Sequence, residues 1–480
     1  MRAVVVGCGM AGARVATELH ARDRDVKVTV FGAERHAPYN RLMLSTLLAG
    51  RVTEDDLAMA APPAGMDVRL GTPVTAVDLA RRVVVTADEA VEYDALVLAT
   101  GARAVDPPLS GLDADNVYVF RTLDDCRGIL AGAATARTAV VLGGGLLGLE
   151  AARGLAGRGL DVTVVHAGSY PMDRQLDPDG GAVLARVLGR LGVRVRLGAR
   201  AVGWTGTALD LADGGTVPAD LLVLACGVRP DTALARAAGL AVRHGVLVDD
   251  ALRTSDPDVY AIGDCAEHDG TVYGLVAPAW EQAATVADRL TGGAARYRGT
   301  RPVTRLKAAG LDVAAMGSVT ADHPDAEVVS FADPARGTYA RLVIRDDRLA
   351  GAVLLGENPS VGTVVQLFDR DAEVPADRRS LLLGRSFGAA APTRAETPAF
   401  LPAQAVVCRC NSVSKAAITA GWRAGARTVP EIVAATRATT GCGSCRDAVT
   451  GIVDWLASAE STEPGEVTSR AESNEEVSFQ

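Results

Sequence analysis

Residues 4–12 read VVVGCGMAG, and residues 140–150 read VVLGGGLLGLE. Each stretch is an apolar run that leads into Gly-x-Gly-x-x-Gly and then into a helix-forming segment. A dinucleotide pyrophosphate lies against a helix N-terminus, where unpaired N–H groups and the helix dipole stabilise negative charge. Glycine is needed in such a turn because any Cβ would hold the backbone away from the phosphates. One motif is weak support, but two of them predict two dinucleotide-binding units.

Short β-branched runs alternate with alanine-rich helical stretches between and after the two motifs. The runs start at Val26 (VKVTVF), Ala95 (ALVLAT), Asp161 (DVTVVH) and Asp220 (DLLVLACG). Strands that alternate with helices in this way are typical of parallel α/β sheets. The pattern therefore predicts two Rossmann-like domains.

Charge and hydropathy exclude two classes of partner. The formal net charge of the 480 residues is −9, so we expect no nucleic acid held by a basic surface. Since no uninterrupted apolar run approaches the ~20 residues of a membrane span, we expect no membrane segment either. The N-terminus continues directly into a strand–turn–helix pattern rather than an export signal, which predicts a cytoplasmic protein with reduced thiols.

Two dinucleotides side by side are the arrangement of a flavoprotein that takes hydride from a nicotinamide. Ala99-Thr100-Gly101 ends one strand, and Gly263-Asp264 lies in TSDPDVYAIGDCAE. Both resemble downstream signatures of the flavoproteins that have two dinucleotide-binding domains. The resemblance implies that Asp264 hydrogen-bonds the ribityl chain of FAD and that the Ala-Thr-Gly turn packs near the cofactor. A helix N-cap is the structural alternative for Asp264.

The carboxylates expected to bind ribose are less regular. The usual acidic position after the first motif falls near Gly32, and Glu34 is the candidate for the adenosine ribose of FAD. The equivalent position after the second motif is His166, which is neither the carboxylate typical of NAD nor the arginine typical of NADP. Glu150 matches a position that often lies near the nicotinamide ring, with helix-dipole complementation as its alternative.

The segment after the first unit lacks the redox cysteines of related enzymes. Disulfide reductases of this superfamily carry Cys-x4-Cys against the flavin, and related peroxidases carry one cysteine, whereas residues 37–50 read APYNRLMLSTLLAG. Electrons must therefore leave the flavin by another route.

Four cysteines near the C-terminal end supply that route. Cys408-Arg409-Cys410 and Cys442-Gly443-Ser444-Cys445 are separated by 31 residues. Four thiolates can bind an iron–sulfur cluster, and a structural zinc ion is the alternative. Thr428 and Glu431 form a capping box that predicts a helix start between the pairs. The unit resembles the bacterioferritin-associated-ferredoxin-like [2Fe–2S] domain, which implies that all four cysteines are cluster ligands.

Residues 37–45 (APYNRLMLS) and 166–177 (HAGSYPMDRQLD) extend the likeness beyond generic flavoproteins. They resemble the flavin-binding half of assimilatory nitrite reductase large subunits and the electron-transfer subunit of assimilatory nitrate reductase. The resemblance places Asn40 and Arg41 at the flavin. Full nitrite reductases continue into a sirohaem and [4Fe–4S] region, which we do not find here. We therefore expect a separate chain to carry out the terminal reduction.

The predicted fold class is α/β, with two Rossmann-like domains for FAD and NAD(P)H, a small α+β domain and a small helical [2Fe–2S] domain. The predicted boundaries are 1–110 with 241–300 (FAD), 111–240 (NAD(P)H), 301–385 (small α+β domain), 386–404 (linker), 405–458 ([2Fe–2S]) and 459–480 (disordered acidic tail). The predicted cofactor-binding residues are Gly7, Gly9, Met10, Ala11, Gly12, Glu34, Asn40, Arg41, Ala99, Thr100, Gly101, Gly143, Gly145, Leu146, Leu147, Gly148, Glu150, His166, Gly263 and Asp264. The predicted metal ligands are Cys408, Cys410, Cys442 and Cys445.

These features predict an NAD(P)H-dependent FAD and [2Fe–2S] oxidoreductase. Its expected partner is a terminal nitrate or nitrite reductase subunit or a small electron carrier. A rubredoxin or ferredoxin reductase with a tethered cluster is one alternative, and a non-redox binding protein stapled by zinc is another. No side-chain acid or base is demanded, because the cofactors carry the chemistry. The choice between NADH and NADPH stays open.

Overall fold

The computed structural model describes residues 1–308, 310–320, 323–358, 360–383, 401–408, 411, 413–440 and 445–461. They belong to two compact units, Met1–Ala389 and Ala390–Gln480. Most of the predicted linker and the predicted acidic tail beyond residue 461 lie outside the described residues.

A five-stranded parallel sheet carries the first glycine motif. In spatial order its strands are β19 (Val259–Ala261), β7 (Ala95–Leu98), β1 (Arg2–Val6), β2 (Lys27–Gly32) and β3 (Asp67–Leu70). Helices α1 (Met10–Arg22) and α7 (Val276–Leu290) pack beside each other in this part of the unit. The central strands are almost entirely apolar because both faces of the sheet are covered.

A second five-stranded parallel sheet carries the second motif. Its strands in spatial order are β12 (Val193–Arg196), β11 (Asp161–Val165), β10 (Thr138–Leu142), β16 (Leu221–Leu224) and β9 (Val117–Val119). Its helices are α3 (Leu123–Ala133), α4 (Leu146–Gly157) and α5 (Pro178–Arg190). In both sheets the strand before the glycine turn is internal, so each turn lies at the carboxyl edge between neighbouring strands.

Smaller elements connect and flank these sheets. Two three-stranded antiparallel sheets consist of β4 (Ala76–Asp78), β5 (Val83–Val85) and β6 (Ala90–Glu92), and of β13 (Ala201–Trp204), β14 (Ala208–Leu211) and β15 (Thr216–Pro218). Two strand pairs are β8 (Ala102–Ala104) with β17 (Val228–Pro230), and β18 (Val246–Val248) with β20 (Ala266–His268). The short helices are α2 (Leu44–Leu48), α6 (Ala233–Ala237) and the 3-10 turns η1 (Arg41–Met43), η2 (Asp55–Leu57) and η3 (Gly263–Cys265).

A third sheet is antiparallel and completes the first unit. Its strands in spatial order are β21 (Val303–Ala308), β22 (Leu311–Gly317), β25 (Arg348–Leu355), β24 (Thr338–Arg345) and β23 (Glu327–Asp333), and the helices that follow are α8 (Val361–Asp369) and α9 (Ser380–Leu383). One face of this sheet shares a hydrophobic core with α5, through Leu184, Val187, Val353 and Leu355.

A buried polar contact fixes this third sheet to the second. Tyr339 of β24 donates its hydroxyl hydrogen to Asp177 Oδ2 at 2.5 Å, and Arg341 Nη1 lies 3.6 Å from the same oxygen. Asp177 precedes α5 and is only 6% exposed. A buried carboxylate needs such donors, because it has lost its hydration.

The second unit is a small helical assembly with one strand pair. Its elements are β26 (Val406–Cys408), β27 (Val413–Ser414), α10 (Lys415–Arg423), α11 (Val429–Thr436) and α12 (Arg446–Ser461). The capping box at the start of α11 is confirmed, since Thr428 and Glu431 make both of its hydrogen bonds. The predicted fold class is confirmed as well. Within the described ranges, no helix is long and apolar enough to span a bilayer.

Tyr339→Phe tests the contact between the sheets. The substitution removes one donor from the buried Asp177 carboxylate, which costs about 1–3 kcal/mol. We expect amide hydrogens of β24 to exchange faster while those of β1 keep their rates, as measured by native-state hydrogen exchange. Tyr118→Phe on β9 is the matched control. Unchanged exchange in β24 would show that the hydroxyl contributes nothing there.

Candidate functional site

The first glycine turn packs its own backbone at distances that exclude side chains. Gly7 has a φ of 111°, and a Cβ there would lie 2.1 Å from the Ala99 carbonyl oxygen. A Cβ on Gly12 would lie 1.8 Å from the Gly7 carbonyl oxygen. At Gly9, by contrast, a Cβ would meet no heavy atom within 4 Å in the described part of the chain. The turn is thus tight on its inner side and open where Met10 begins α1.

The second turn repeats this construction. A Cβ on Gly143 would lie 2.2 Å from the Ala225 carbonyl oxygen, and one on Gly148 would lie 2.0 Å from the Gly143 oxygen. A Cβ on Gly145 would meet no heavy atom of the described residues within 4 Å. Leu146 begins α4. Both turns therefore present an exposed backbone and a helix N-terminus, which suits a pyrophosphate.

The Glu34 carboxylate accepts hydrogen bonds from two neighbouring side chains. Glu34 Oε1 accepts from Arg41 Nη2 at 2.5 Å, and Glu34 Oε2 accepts from the Tyr39 hydroxyl at 2.8 Å. At the usual acidic position, Gly32, a Cβ would lie 2.8 Å from Cys8 Cβ. A side chain at position 32 would therefore collide with Cys8, whereas Glu34 lies two residues further along the loop.

Arg121 connects the residues predicted to lie at the flavin. Arg41 Nη1 donates to the Arg121 carbonyl oxygen at 3.0 Å, and Arg121 Nη2 lies 2.8 Å from Asp264 Oδ2. Glu34, Arg41, Arg121 and Asp264 thus form one continuous chain of contacts. Sequence reasoning missed Arg121, because only the fold brings this arginine to an aspartate 143 positions away.

The remaining predicted residues on this side are well ordered by hydrogen bonds. Asn40 is 2% exposed, and its Oδ1 accepts from Leu42 N at 3.1 Å. Thr100 Oγ1 donates to the Asp231 carbonyl oxygen at 2.6 Å, and this bond joins the segment after β7 to the segment after β17.

The Gly263-Asp264 segment is held by a hydrogen bond to α7, in which Gly263 N donates to Gln282 Oε1 at 2.7 Å. Asp264 lies inside η3, whose N-cap is Ile262, so the N-cap alternative for Asp264 does not fit. Gly101 has a φ of 75° in the Ala-Thr-Gly segment after β7, and Ala11 is the second residue of α1.

Around the second glycine turn, Glu150 and His166 lie in different surroundings. Glu150 is the fifth residue of α4 and only 7% exposed, so it is beyond the first turn that its alternative role requires. His166 directly follows β11, and its Nδ1 accepts from Gly144 N at 3.2 Å. Leu147 and Gly148 follow Leu146 on the helix that begins at the turn.

In the second unit, two of the four cysteines can be located. Cys408 ends β26 and is fully buried, and Cys445 directly precedes α12 and is 4% exposed. Cys410 and Cys442 lie outside the described residues. Among the residues that are described, no group of three or more His, Cys, Asp or Glu could hold a metal. The donor set of four thiols in two close pairs suits a cluster chemically.

Asn411 joins the two cysteine-bearing segments. Its Nδ2 donates to the Arg437 carbonyl oxygen at 2.6 Å and to Thr440 Oγ1 at 3.0 Å. Arg437 and Thr439 have φ values of 59° and 67°, a left-handed backbone conformation that residues other than glycine adopt at an energetic cost. Asn411 follows Cys410 in sequence, and the turn precedes Cys442, so these bonds tie the segment of one pair to that of the other.

Three family models match successive parts of the chain. Residues 1–283 match the pyridine nucleotide-disulphide oxidoreductase family model, residues 302–368 match the C-terminal domain of rubredoxin NAD+ reductase, and residues 406–455 match the BFD-like [2Fe-2S] binding domain. The chain belongs to the pyridine nucleotide-disulphide oxidoreductase family. These matches confirm the predicted cofactors, which are FAD, NAD(P)H and a [2Fe–2S] cluster, and they leave the zinc alternative without support.

Two curated relatives match nearly the whole chain. The assimilatory nitrate reductase electron transfer subunit of Bacillus subtilis is 33% identical over 98% of this chain and 61% of its own length. The nitrite reductase [NAD(P)H] large subunit of Klebsiella oxytoca is 36% identical over 96% of this chain and 49% of its own length. The chain thus spans about half to three fifths of these relatives. The predicted resemblance is confirmed.

Among solved structures, the covalent putidaredoxin reductase–putidaredoxin complex is similar, with a TM-score of 0.72 and 28% identity. The match covers 78% of this chain and 94% of that one.

Gly145→Ala and Gly148→Ala separate binding from folding at the second turn. Gly148→Ala forces a Cβ into the Gly143 carbonyl, so we expect a lower thermal midpoint and weaker nucleotide binding. Gly145→Ala adds a Cβ in open space, so the free energy of unfolding should change by less than about 0.5 kcal/mol. Its methyl group should still weaken NADH binding by obstructing the approach of the pyrophosphate. Circular dichroism melting and NADH titration measure both effects, and equal melting of the two variants would contradict the expectation.

Asn411→Asp tests the bridge in the second unit. The substitution directs a carboxylate oxygen at the Arg437 carbonyl in place of a donor. We expect a chelator to remove the cluster about tenfold faster than from the unmodified protein. Loss of a residue that supports the ligands of a metal site typically lowers the affinity for the metal by about 10–100-fold. Iron content and visible absorbance follow the loss. Ser458→Ala on α12 is the control, and equal rates for both variants would exclude this role for Asn411.

Proposed function

We propose that this chain is an NAD(P)H-dependent FAD and [2Fe–2S] oxidoreductase that delivers electrons to a terminal nitrate or nitrite reductase. The observation that carries the proposal is the pair of matching backbone turns in one unit of a chain that also contains a [2Fe–2S]-binding domain. Bound FAD would accept a hydride from NAD(P)H, and a bound [2Fe–2S] cluster would carry single electrons onward.

The proposal assigns FAD to residues 1–110 and 241–300 and NAD(P)H to residues 111–240. The Gly7–Gly12 turn would hold the FAD pyrophosphate, with Glu34 directed at the adenosine ribose and Asp264 at the ribityl chain. Arg41 and Arg121 keep these two carboxylates in place through the contact chain described above. The Gly143–Gly148 turn would hold the NAD(P)H pyrophosphate. We assign Cys408, Cys410, Cys442 and Cys445 as the cluster ligands.

Cysteines of the first unit are unsuited to carrying the electrons away. Burial raises the pKa of the Cys126 thiol to about 12, and Cys126 Sγ donates to the Leu44 carbonyl oxygen at 3.6 Å. Burial also raises the pKa of the Cys8 thiol to about 11, and it raises the pKa values of the Cys226 and Cys265 thiols. A thiol must ionise to act as a nucleophile, so burial disfavours thiolate chemistry at all four cysteines. This supports an exit through the C-terminal cysteines.

The acceptor is proposed from relatives that match nearly the whole of this chain and are named for nitrate and nitrite reduction. A second candidate is a rubredoxin or ferredoxin reductase with its own tethered cluster. The match of residues 302–368 to the rubredoxin reductase C-terminal domain favours this candidate. The two functions share every step within this chain and differ only in the protein that accepts the electrons.

Anaerobic titration of the purified protein with NADH or NADPH tests the proposal. We expect bleaching of the flavin absorbance followed by the electron paramagnetic resonance signal of a reduced cluster. Turnover with nitrate reductase, nitrite reductase, rubredoxin and ferredoxin then separates the two candidates. Zinc in place of iron, or a colourless protein, would refute the redox function.

Cys445→Ser tests the route of the electrons. The variant should lose the cluster absorbance and the reduction of protein acceptors, because a ligand is missing. FAD content and the rate of flavin bleaching by NAD(P)H should be unchanged, since the first unit is untouched. Cys226→Ser, at a partly buried thiol of that unit, is the matched control and should retain both cofactors. Protein acceptors reduced at full rate by Cys445→Ser would contradict the route.

A further inference from the structure

The residue after β11 cannot itself accept a hydrogen bond from ribose. His166 Nδ1 accepts from Gly144 N at 3.2 Å, so in the neutral ring the hydrogen resides on Nε2. A Cβ on Gly144 would lie 2.7 Å from the His166 ring, so the ring is packed directly on the glycine turn. His166 therefore presents a donor where nucleotide-binding domains of this kind usually present a carboxylate.

That donor faces a carboxylate seven positions further along the chain. His166 Nε2 lies 3.4 Å from Asp173 Oδ2, which is within ion-pair range but lacks the geometry of a hydrogen bond. The His166 side chain is 15% exposed, whereas that of Asp173 is 39% exposed. Gly168 makes room for the pair, because a Cβ there would lie 2.2 Å from Asp173 Oδ2 and 2.6 Å from His166 Nε2. The carboxylate thus has one oxygen near an imidazole and a surface that faces solvent.

Backbone hydrogen bonds fix the loop that carries Asp173. Met172 N donates to the Gly144 carbonyl oxygen at 2.9 Å, which fastens the residue before Asp173 to the second glycine turn. Gly198 N donates to the Gly168 carbonyl oxygen at 2.8 Å. Met172 is 1% exposed and has a φ of 54°, so the loop turns sharply there. Asp173 therefore has a defined position beside the nucleotide turn.

The nearest arginine of the adjacent strand is directed elsewhere. His166 N donates to the Arg196 carbonyl oxygen at 2.8 Å, which places Arg196 next to His166 along the sheet edge. The Arg196 guanidinium, however, lies 3.9 Å from Asp213 in an exposed ion pair. Arg174, which follows Asp173, is exposed. The charge closest to His166 Nε2 is consequently the negative one of Asp173.

We propose that Asp173, positioned by His166, supplies the carboxylate that recognises the adenosine ribose of the nicotinamide nucleotide. A ribose 2′-hydroxyl donates to a carboxylate, whereas a 2′-phosphate is repelled by one. The chain therefore uses NADH in preference to NADPH. The inference rests on the proposed function for the assignment of the second turn to NAD(P)H, and it names the nucleotide that this turn accepts. Asp173 is a specificity residue, and His166 is a positioning residue.

Calorimetric binding of ADP-ribose and 2′-phospho-ADP-ribose to the FAD-loaded full chain tests the inference independently of electron transfer. We expect the unmodified protein to bind ADP-ribose at least tenfold more tightly. Asp173→Asn should weaken ADP-ribose about tenfold, the value of one hydrogen bond to a charged group, and leave or improve binding of the phosphorylated probe. Asp115→Asn, at an exposed position of the same domain, should change neither affinity.

The positioning role of His166 is tested by comparing the half-saturating NADH concentration with the limiting rate of flavin reduction. In stopped-flow reduction of the flavin, His166→Ala should raise the half-saturating NADH concentration and leave the limiting rate unchanged. His166→Asn, whose Oδ1 can still accept from Gly144 N, should recover part of the loss. Preference for the phosphorylated probe, no binding of either probe, or an unchanged ratio in Asp173→Asn would overturn the inference. Normal probe binding with no flavin reduction by either nucleotide would instead refute the proposed function alone.

Discussion

The structure of the first unit depends on a close approach between two glycines within each glycine turn, where the second glycine meets the carbonyl oxygen of the first. Gly12 approaches the Gly7 carbonyl, and Gly148 approaches the Gly143 carbonyl, so closely that a methyl group at either glycine would overlap with backbone. Backbone cannot move aside as a flexible side chain can. The contact fixes how each helix leaves its strand, and it thereby fixes where the free N–H groups of α1 and α4 point.

Beside the first glycine turn, four charged side chains form a series of contacts. Glu34 and Arg41 lie in one loop, Arg121 and Asp264 lie in two distant parts of the chain, and each of the four touches the next. Partly buried charges of this kind are costly unless they are paired. Here each carboxylate is paired with one guanidinium, Glu34 with Arg41 and Asp264 with Arg121, and a hydrogen bond from Arg41 to the Arg121 carbonyl oxygen joins the two pairs. Order in this region is therefore a property of the protein chain itself.

The local features of the fold could be predicted from the sequence, because spacing alone encodes them. The glycine turns, the parallel strands and the capping box at α11 are all set by residues within a few positions of one another. Arg121 could not be predicted, because its partner is distant in sequence and its role depends on sheet order. Asp173 lies in the segment 166–177, but its proximity to His166 depends on the sharp turn at Met172 and on the space left by Gly168, which sequence spacing does not reveal. The positions of Glu34 and Asp264 relative to FAD stay predictions.

In both glycine turns the closest approaches are those of glycines to backbone carbonyl groups, whereas Glu34 and His166 lie outside the turns, after β2 and directly after β11. If the proposed function holds, this arrangement separates the part that binds any dinucleotide from the part that identifies one. Substitutions in the loops after β2 and β11 would then change the nucleotide preference without disturbing either sheet. Such a reductase would adapt to a different nucleotide supply during evolution while its electron-transfer route after the flavin stayed the same.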